Sequence, residues 1–242
     1  MSRTEPEPLD DSAATVEFDG TRIVTRPGVV MTPRPGTTAL VDLAVEWIGS
    51  RPARVADVGT GTGAVAIALA QRVPGARIWA TDDDDAAVAL ARANVLRHGL
   101  QARVEVLLGN LLEPAPGGLD LVVANLPYHA AARSRDPGAS ALRGEPAHAM
   151  YARGDGLQPN RELIGACRTQ LDPGGALVIQ LYGSVLCAGR GELDELLREM
   201  EARAADGWRA RAAAAAAGTP RTWAPWRASG PLGFASVRSS TV

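Results

Sequence analysis

The chain has 242 residues, 46% of them hydrophobic, which suits one large domain with a buried core, with or without a small appendage. A formal net charge of −2 argues against a broad phosphate-binding surface. All 25 basic residues are arginine, a bias that, with the abundant alanine, says little about function. Cys167 and Cys187 lie far apart and match no metal or redox spacing, so they read as free thiols and no metal site is expected. The chain opens without a charged, then apolar leader, and no stretch is long enough to span a bilayer. The expectation is therefore a cytoplasmic protein.

Residues 1–14 are rich in Glu, Asp, Pro and Ser and read as a disordered tail. Val16–Phe18 and Arg22–Val24 alternate in polarity around Asp19-Gly20, a hairpin signal. The prolines of 29–38 hold the chain extended, and Thr37 or Thr38 is placed to cap a helix over 39–49. This divides the chain into a tail (1–14), a hairpin with linker (15–38) and a main domain (39–242). Alternating strands and helices follow. Strands are predicted at 54–58, 77–81, 104–108, 120–124 and 176–181, and helices at 63–72, 86–98, 157–171 and 192–204. The residues 129–156 form a long polar connection, and Pro173-Gly174-Gly175 reads as a turn. Last strands are expected at 208–217 and 234–238, the first against the poor strand propensity of its alanines. This order predicts a doubly wound α/β fold, a mostly parallel seven-stranded sheet with an N-terminal β-hairpin.

The stretch from Val55 to Ala70 organises the rest: an apolar strand carrying Asp57, a turn through Gly59, Gly61 and Gly63, then an apolar helix. Such a turn lets a backbone approach a ligand where a Cβ would clash, and leaves helix N–H groups facing it. Asp82 ends the second strand 23 residues after Gly59, near the ~20-residue spacing at which an acid meets ribose hydroxyls. Asp84 and Asp85 read as helix-capping acids. After the fourth strand come Asn125-Leu126-Pro127-Tyr128. Asn125 offers an amide, Pro127 stiffens the backbone and Tyr128 offers a flat face, a set suited to a planar nitrogen nucleophile. A turn with an aromatic packed beneath it is the structural alternative. The three groups all fall at the carboxyl edge of the sheet. His98 reads as a helix C-terminal residue, His129 stands next to Tyr128, and His148 has no assignment.

These motifs resemble class I S-adenosylmethionine-dependent methyltransferases, and within them the HemK/PrmC family of protein-glutamine N5-methyltransferases. The likeness runs from about residue 17 to 182. DVGTGTG (Asp57 to Gly63) is similar to the cofactor loop, PRPGT (Pro33 to Thr37) to PRPxT, GNLLEP to GDLFEP and NLPY to NPPY. EPAHAMYARGDGL and LDPGGALVIQ follow EPxxALxGGxDGL and LKPGGxLLLE. The resemblance implies that Asp57 and the backbone of Gly59, Thr60, Gly61 and Gly63 hold the methionine part of S-adenosylmethionine. Asp82, with Asp83, would serve the ribose diol, and Asn110 and Leu111 would lie by the adenine. Thr37 and Asn125 complete the implied cofactor set. Asn125 and the Pro127 carbonyl would orient the acceptor amide, with Tyr128 against its plane, and no general base is needed. The family usually carries an N-terminal helical domain where this sequence shows a short tail. Leu126 replaces a proline, as in ribosomal-RNA adenine dimethyltransferases, and Asn110 replaces an aspartate. Three acceptors stay open: a protein glutamine amide, a small molecule, and RNA adenine, the last disfavoured by charge. A partner subunit without turnover and an NAD-dependent dehydrogenase are weaker readings, the latter because GxGxG differs from GxGxxG.

Overall fold

The computed structural model describes residues 14–130, 144–154, 156–182 and 209–215. Strands β1 (Ala14–Phe18) and β2 (Thr21–Thr25) form the antiparallel hairpin, with Phe18 paired to Thr21 across Asp19-Gly20. A 3-10 turn, Pro35–Thr37, leads into α1 (Thr38–Ile48). Then come β3 (Ala53–Val58), α2 (Ala64–Arg72), β4 (Ala76–Asp82), α3 (Asp85–Arg97), β5 (Val104–Leu108) and β6 (Leu119–Ala124). The last group is β7 (His129–Ala130), α4 (Ala147–Met150), β8 (Tyr151–Ala152), α5 (Gln158–Gln170), β9 (Leu171–Tyr182) and β10 (Arg209–Ala215).

Among the described residues, six parallel strands make the central sheet, in the order β10-β9-β6-β3-β4-β5. The chain moves outward from β3 to β4 and β5, then returns to the other side of β3 with β6. That reversal opens a crevice at the carboxyl ends of β3 and β6, where ligands of such sheets bind. One face is covered by α1, α2 and α3 in a core that includes Leu40, Ile67, Ile78 and Val178. The other face packs α5 and the segment before β6 in a second core with Leu112, Leu163, Ile164 and Ile179. Neighbours along β9 divide between the two, Val178 to the first and Ile179 to the second, as strand alternation requires. Over β4 the second face carries Trp79, flanked by the Arg54 and Arg77 guanidiniums at 4.9 and 5.3 Å from its ring.

The hairpin is tied down by one buried amide. Asn94 on α3 accepts from the Val24 N–H at 3.0 Å, and donates to the Val24 carbonyl at 2.8 Å and the Thr62 carbonyl at 2.9 Å. The same side chain thus holds both the hairpin and the glycine loop. No helix among the described residues is long and apolar enough to cross a membrane.

Several expectations are corrected. Neither Thr37 nor Thr38 caps α1 with its hydroxyl; Pro35 starts a 3-10 turn whose carbonyl receives the Thr38 N–H, so the turn supplies what a cap would. The Thr38 hydroxyl donates to the Pro35 carbonyl at 2.8 Å instead. Gly63 precedes α2 rather than starting it. Residues 172–175 stand in β9 as a bulge, because Leu119 pairs with Leu171 while Leu121 pairs with Ala176. The strand expected at 208–217 does form, as β10, by pairing in register with β9, a tertiary contact that overrides the weak propensity of its alanines. The connection 129–156 holds a short parallel bridge, His129 with Tyr151 and Ala130 with Ala152. The expected helix at 192–204, the strand at 234–238 and Cys187 lie outside the described residues.

Candidate functional site

Two adjoining cavities occupy the crevice. The larger, about 390 Å³, runs from the glycine loop to the first turn of α5, inside the ~300–1,000 Å³ range of small-molecule sites. The smaller, about 60 Å³, lies between Asp57, Thr60 and the segment at Met31 to Arg34. Gly59, Gly61, Asn125 and Met31 line both.

The floor begins where β3 ends. The Gly59 and Thr60 N–H groups both donate to the Thr81 carbonyl, at 2.9 and 3.0 Å, folding the loop back on β4. Gly59 has φ +70°, and a Cβ there would stand 2.8 Å from Leu126 Cδ2, so the loop and the turn after β6 are packed backbone to side chain. Asp57, 2% exposed, accepts from the Thr60 hydroxyl at 2.6 Å and the Ala66 N–H at 3.1 Å, both at Oδ2. It thereby satisfies one of the orphan donors at the start of α2. Burial pushes the Asp57 carboxyl up to about 6 against these two hydrogen bonds, and the charge of Asp82 adds to the rise.

Asp82 sits at the end of β4. Its Oδ2 accepts from the Gly61 N–H at 2.8 Å and its Oδ1 from the Asp84 N–H at 3.1 Å. Burial raises its pKa, the two backbone donors lower it, and Asp83 and Asp84 raise it again. Asp83, Asn110 and Leu111 join it on the wall of the larger cavity. Leu111 holds φ +47°, a left-handed backbone pinned by the Thr81 hydroxyl, which donates to its carbonyl at 2.7 Å. The Asn110 amide donates to Glu113 at 3.3 Å. Thr37 lines the smaller cavity, and its hydroxyl oxygen accepts from Asn125 Nδ2 at 3.4 Å.

Asn125, Leu126 and Pro127 line the larger cavity, whereas Tyr128 lines neither. Tyr128 is 7% exposed, packs into the second core and lies against His129, with ring centroids 4.7 Å apart. His129 in turn lies 6.0 Å from the Tyr151 ring, and burial, with the nearby Arg34 charge, lowers its pKa. His98 ends α3, its Nε2 3.0 Å from the Arg22 carbonyl.

Two contacts between distant segments border the crevice and have no counterpart in any sequence motif. Glu145 accepts from the Thr32 N–H at 3.0 Å and pairs with Arg34 at 3.5 Å. His148 meets Asp84, the N-cap of α3, at 3.2 Å. These two contacts fasten the stretch around α4, whose His148 and Ala149 line the larger cavity, to the N-terminal segment and to α3. Partners 113 residues apart, such as Thr32 and Glu145, leave no local signal to find them by. Two buried amides were missed as well. Asn160 on α5 donates to the Pro127 carbonyl at 3.4 Å, and Gln180 on β9 is 1% exposed with neither amide atom paired among the described residues.

Residues 20–155 match the family model described as methyltransferase small domain. A release factor glutamine methyltransferase of Gloeobacter violaceus is 37% identical over 189 residues, 77% of this chain and 64% of that protein. The chain thus spans less than two thirds of that relative's length. The corresponding protein of Bordetella pertussis is 37% identical over 205 residues, covering 83% of this chain and 74% of its own length. Among solved structures, a ribosomal protein L11 methylase from Lactobacillus delbrueckii subsp. bulgaricus superposes with a TM-score of 0.50 at 25% identity, over 72% of each chain. The chain therefore belongs to the methyltransferase small domain family and is a relative of the release factor glutamine methyltransferases.

Proposed function

We propose that the chain is an S-adenosylmethionine-dependent N-methyltransferase whose acceptor is a planar amide nitrogen, a glutamine side chain of a protein. The observation that carries this reading is the convergence of three loops on one cavity of about 390 Å³: the glycine loop after β3, Asp82 after β4, and Asn125 to Pro127 after β6. The cradle fits the cofactor because the bare backbone of Gly59 and Gly61, the Asp82 and Asp83 carboxyls and Asn110 all line that one cavity. The names of the relatives supply the amide acceptor.

In this reading Asp82 binds the ribose diol with the lone pairs left after its two backbone contacts, and Asp83 lies beside it. Asn110 and Leu111 border the adenine. Asp57, Thr37 and Thr60, with the backbone of Gly59, Gly61 and Gly63, hold the methionine end. When bound, the cofactor supplies an electrophilic methyl on a sulfonium. Asn125 Oδ1 and the Pro127 carbonyl accept the two N–H groups of the acceptor, which aims the nitrogen lone pair away from the turn and into the cavity. Tyr128 supports the turn from its apolar side. Rate enhancement then comes from alignment in a site screened from water, and no side chain acts as base before attack.

The test is incubation with methyl-labelled cofactor and a bacterial extract. Label recovered as N-methylglutamine in protein supports the reading. Label only in RNA or in small molecules moves the chain to another acceptor, and no transfer at all ends the case for an enzyme.

A further inference from the structure

Asn160 stands in the first turn of α5 with no solvent exposure, among the apolar side chains of the second core. Its Nδ2 donates to the Pro127 carbonyl at 3.4 Å, while its Oδ1 is buried with no partner among the described residues. A buried acceptor left unpaired costs about 1–3 kcal/mol, so Asn160 is a poor choice for stability alone. Leucine has the same branching and would leave no orphan. The Pro127 carbonyl would not be stranded by that change, because Pro127 is only part-buried and lines the larger cavity.

We infer that Asn160 is a positioning residue for the acceptor, acting through the Pro127 carbonyl. That carbonyl has two lone pairs. Asn160 occupies one from the core side and fixes the plane of the peptide. The second is thereby directed into the cavity, where the acceptor amide is to be read. This assignment rests on the function proposed above, and it gives the orphaned Oδ1 a reason: the amide is kept for its N–H, and its oxygen is left without use. The neighbouring Gln158 is already paired with Glu162 at 2.8 Å and lies on the exposed side of the helix, so it does not duplicate the contact.

The test compares wild type with Asn160→Leu and Asn160→Asp, using labelled cofactor with the wild-type acceptor fraction, alongside thermal midpoints and binding of S-adenosylhomocysteine. The expected result for Asn160→Leu is a kcat lowered about tenfold, the weight of one hydrogen bond, with product affinity unchanged and a midpoint equal to or above wild type. Asn160→Asp keeps the shape and loses the N–H, and at alkaline pH it should be as slow as the leucine variant. Wild-type turnover in Asn160→Asp at alkaline pH would show a role of shape only and overturn the inference. A parallel fall of midpoint, product affinity and kcat in Asn160→Leu would overturn it too, as a purely structural role. A wild-type chain that transfers no methyl group overturns the function and this assignment together; an active wild type with equally active variants overturns the assignment alone.

Discussion

Asp82 Oδ2 receives the Gly61 N–H at 2.8 Å, so the acid at the end of β4 and the glycine loop after β3 are fixed to each other by the protein's own contact. The same carboxylate holds the Asp84 N–H with its other oxygen. Asp82 is therefore both a wall of the cavity and the post to which the loop is tied. Asp82→Ala should weaken binding of S-adenosylhomocysteine by about 1–3 kcal/mol, the range for charge-assisted hydrogen bonds. Isothermal titration gives the value; an unchanged dissociation constant would remove Asp82 from the site.

Asp57 leads to a pH dependence. Its folded pKa, about 6, lies above the ordinary 3.8, so the folded state favours the neutral acid. The resulting stabilisation is complete below about pH 4 and is lost as pH rises through about 6. At 1.36 kcal/mol per unit, the difference amounts to about 3 kcal/mol. Denaturant titrations of wild type and Asp57→Asn across that window isolate it: the wild type should lose stability relative to the variant as pH rises. A constant difference between the two would refute the assignment.

Gly59→Ala tests the close approach of loop and turn. The left-handed φ of +70° costs an L-residue about 1–2 kcal/mol, and the new Cβ also presses on Leu126 Cδ2. The double variant Gly59→Ala with Leu126→Ala should relieve the contact but keep the backbone penalty, a coupling that a double-mutant cycle of unfolding free energies measures. Strict additivity would mean that the two residues do not meet.

Asn125→Ala removes an acceptor oxygen from the turn while leaving the glycine loop and Asp82 in place. Turnover should fall by about 100-fold or more, since misplacement of a reacting group by about an ångström has that cost. Product affinity should stay within a few-fold of wild type. Single-turnover kinetics with labelled cofactor separate the two; loss of binding with unchanged chemistry would show that Asn125 serves the cofactor alone.

The alternation of apolar strands and amphipathic helices, the Asp19-Gly20 turn and the glycines after β3 are local patterns. From them the sequence alone determined the hairpin, the six parallel strands of the described residues, β10 included despite its alanines, and the edge of the sheet that carries Asp57, Asp82 and Asn125. Those features follow from backbone preference and periodicity, which act between near neighbours. Contacts between distant segments decided the rest. Asn94 reaches both Val24 and Thr62, Glu145 holds Thr32, and Asn160 lies under Pro127. The packing of the second core drew Tyr128 beneath the turn rather than into the cavity. Side-chain hydrogen bonds and burial depend on which surfaces the folded chain brings face to face, and no window of sequence contains both partners.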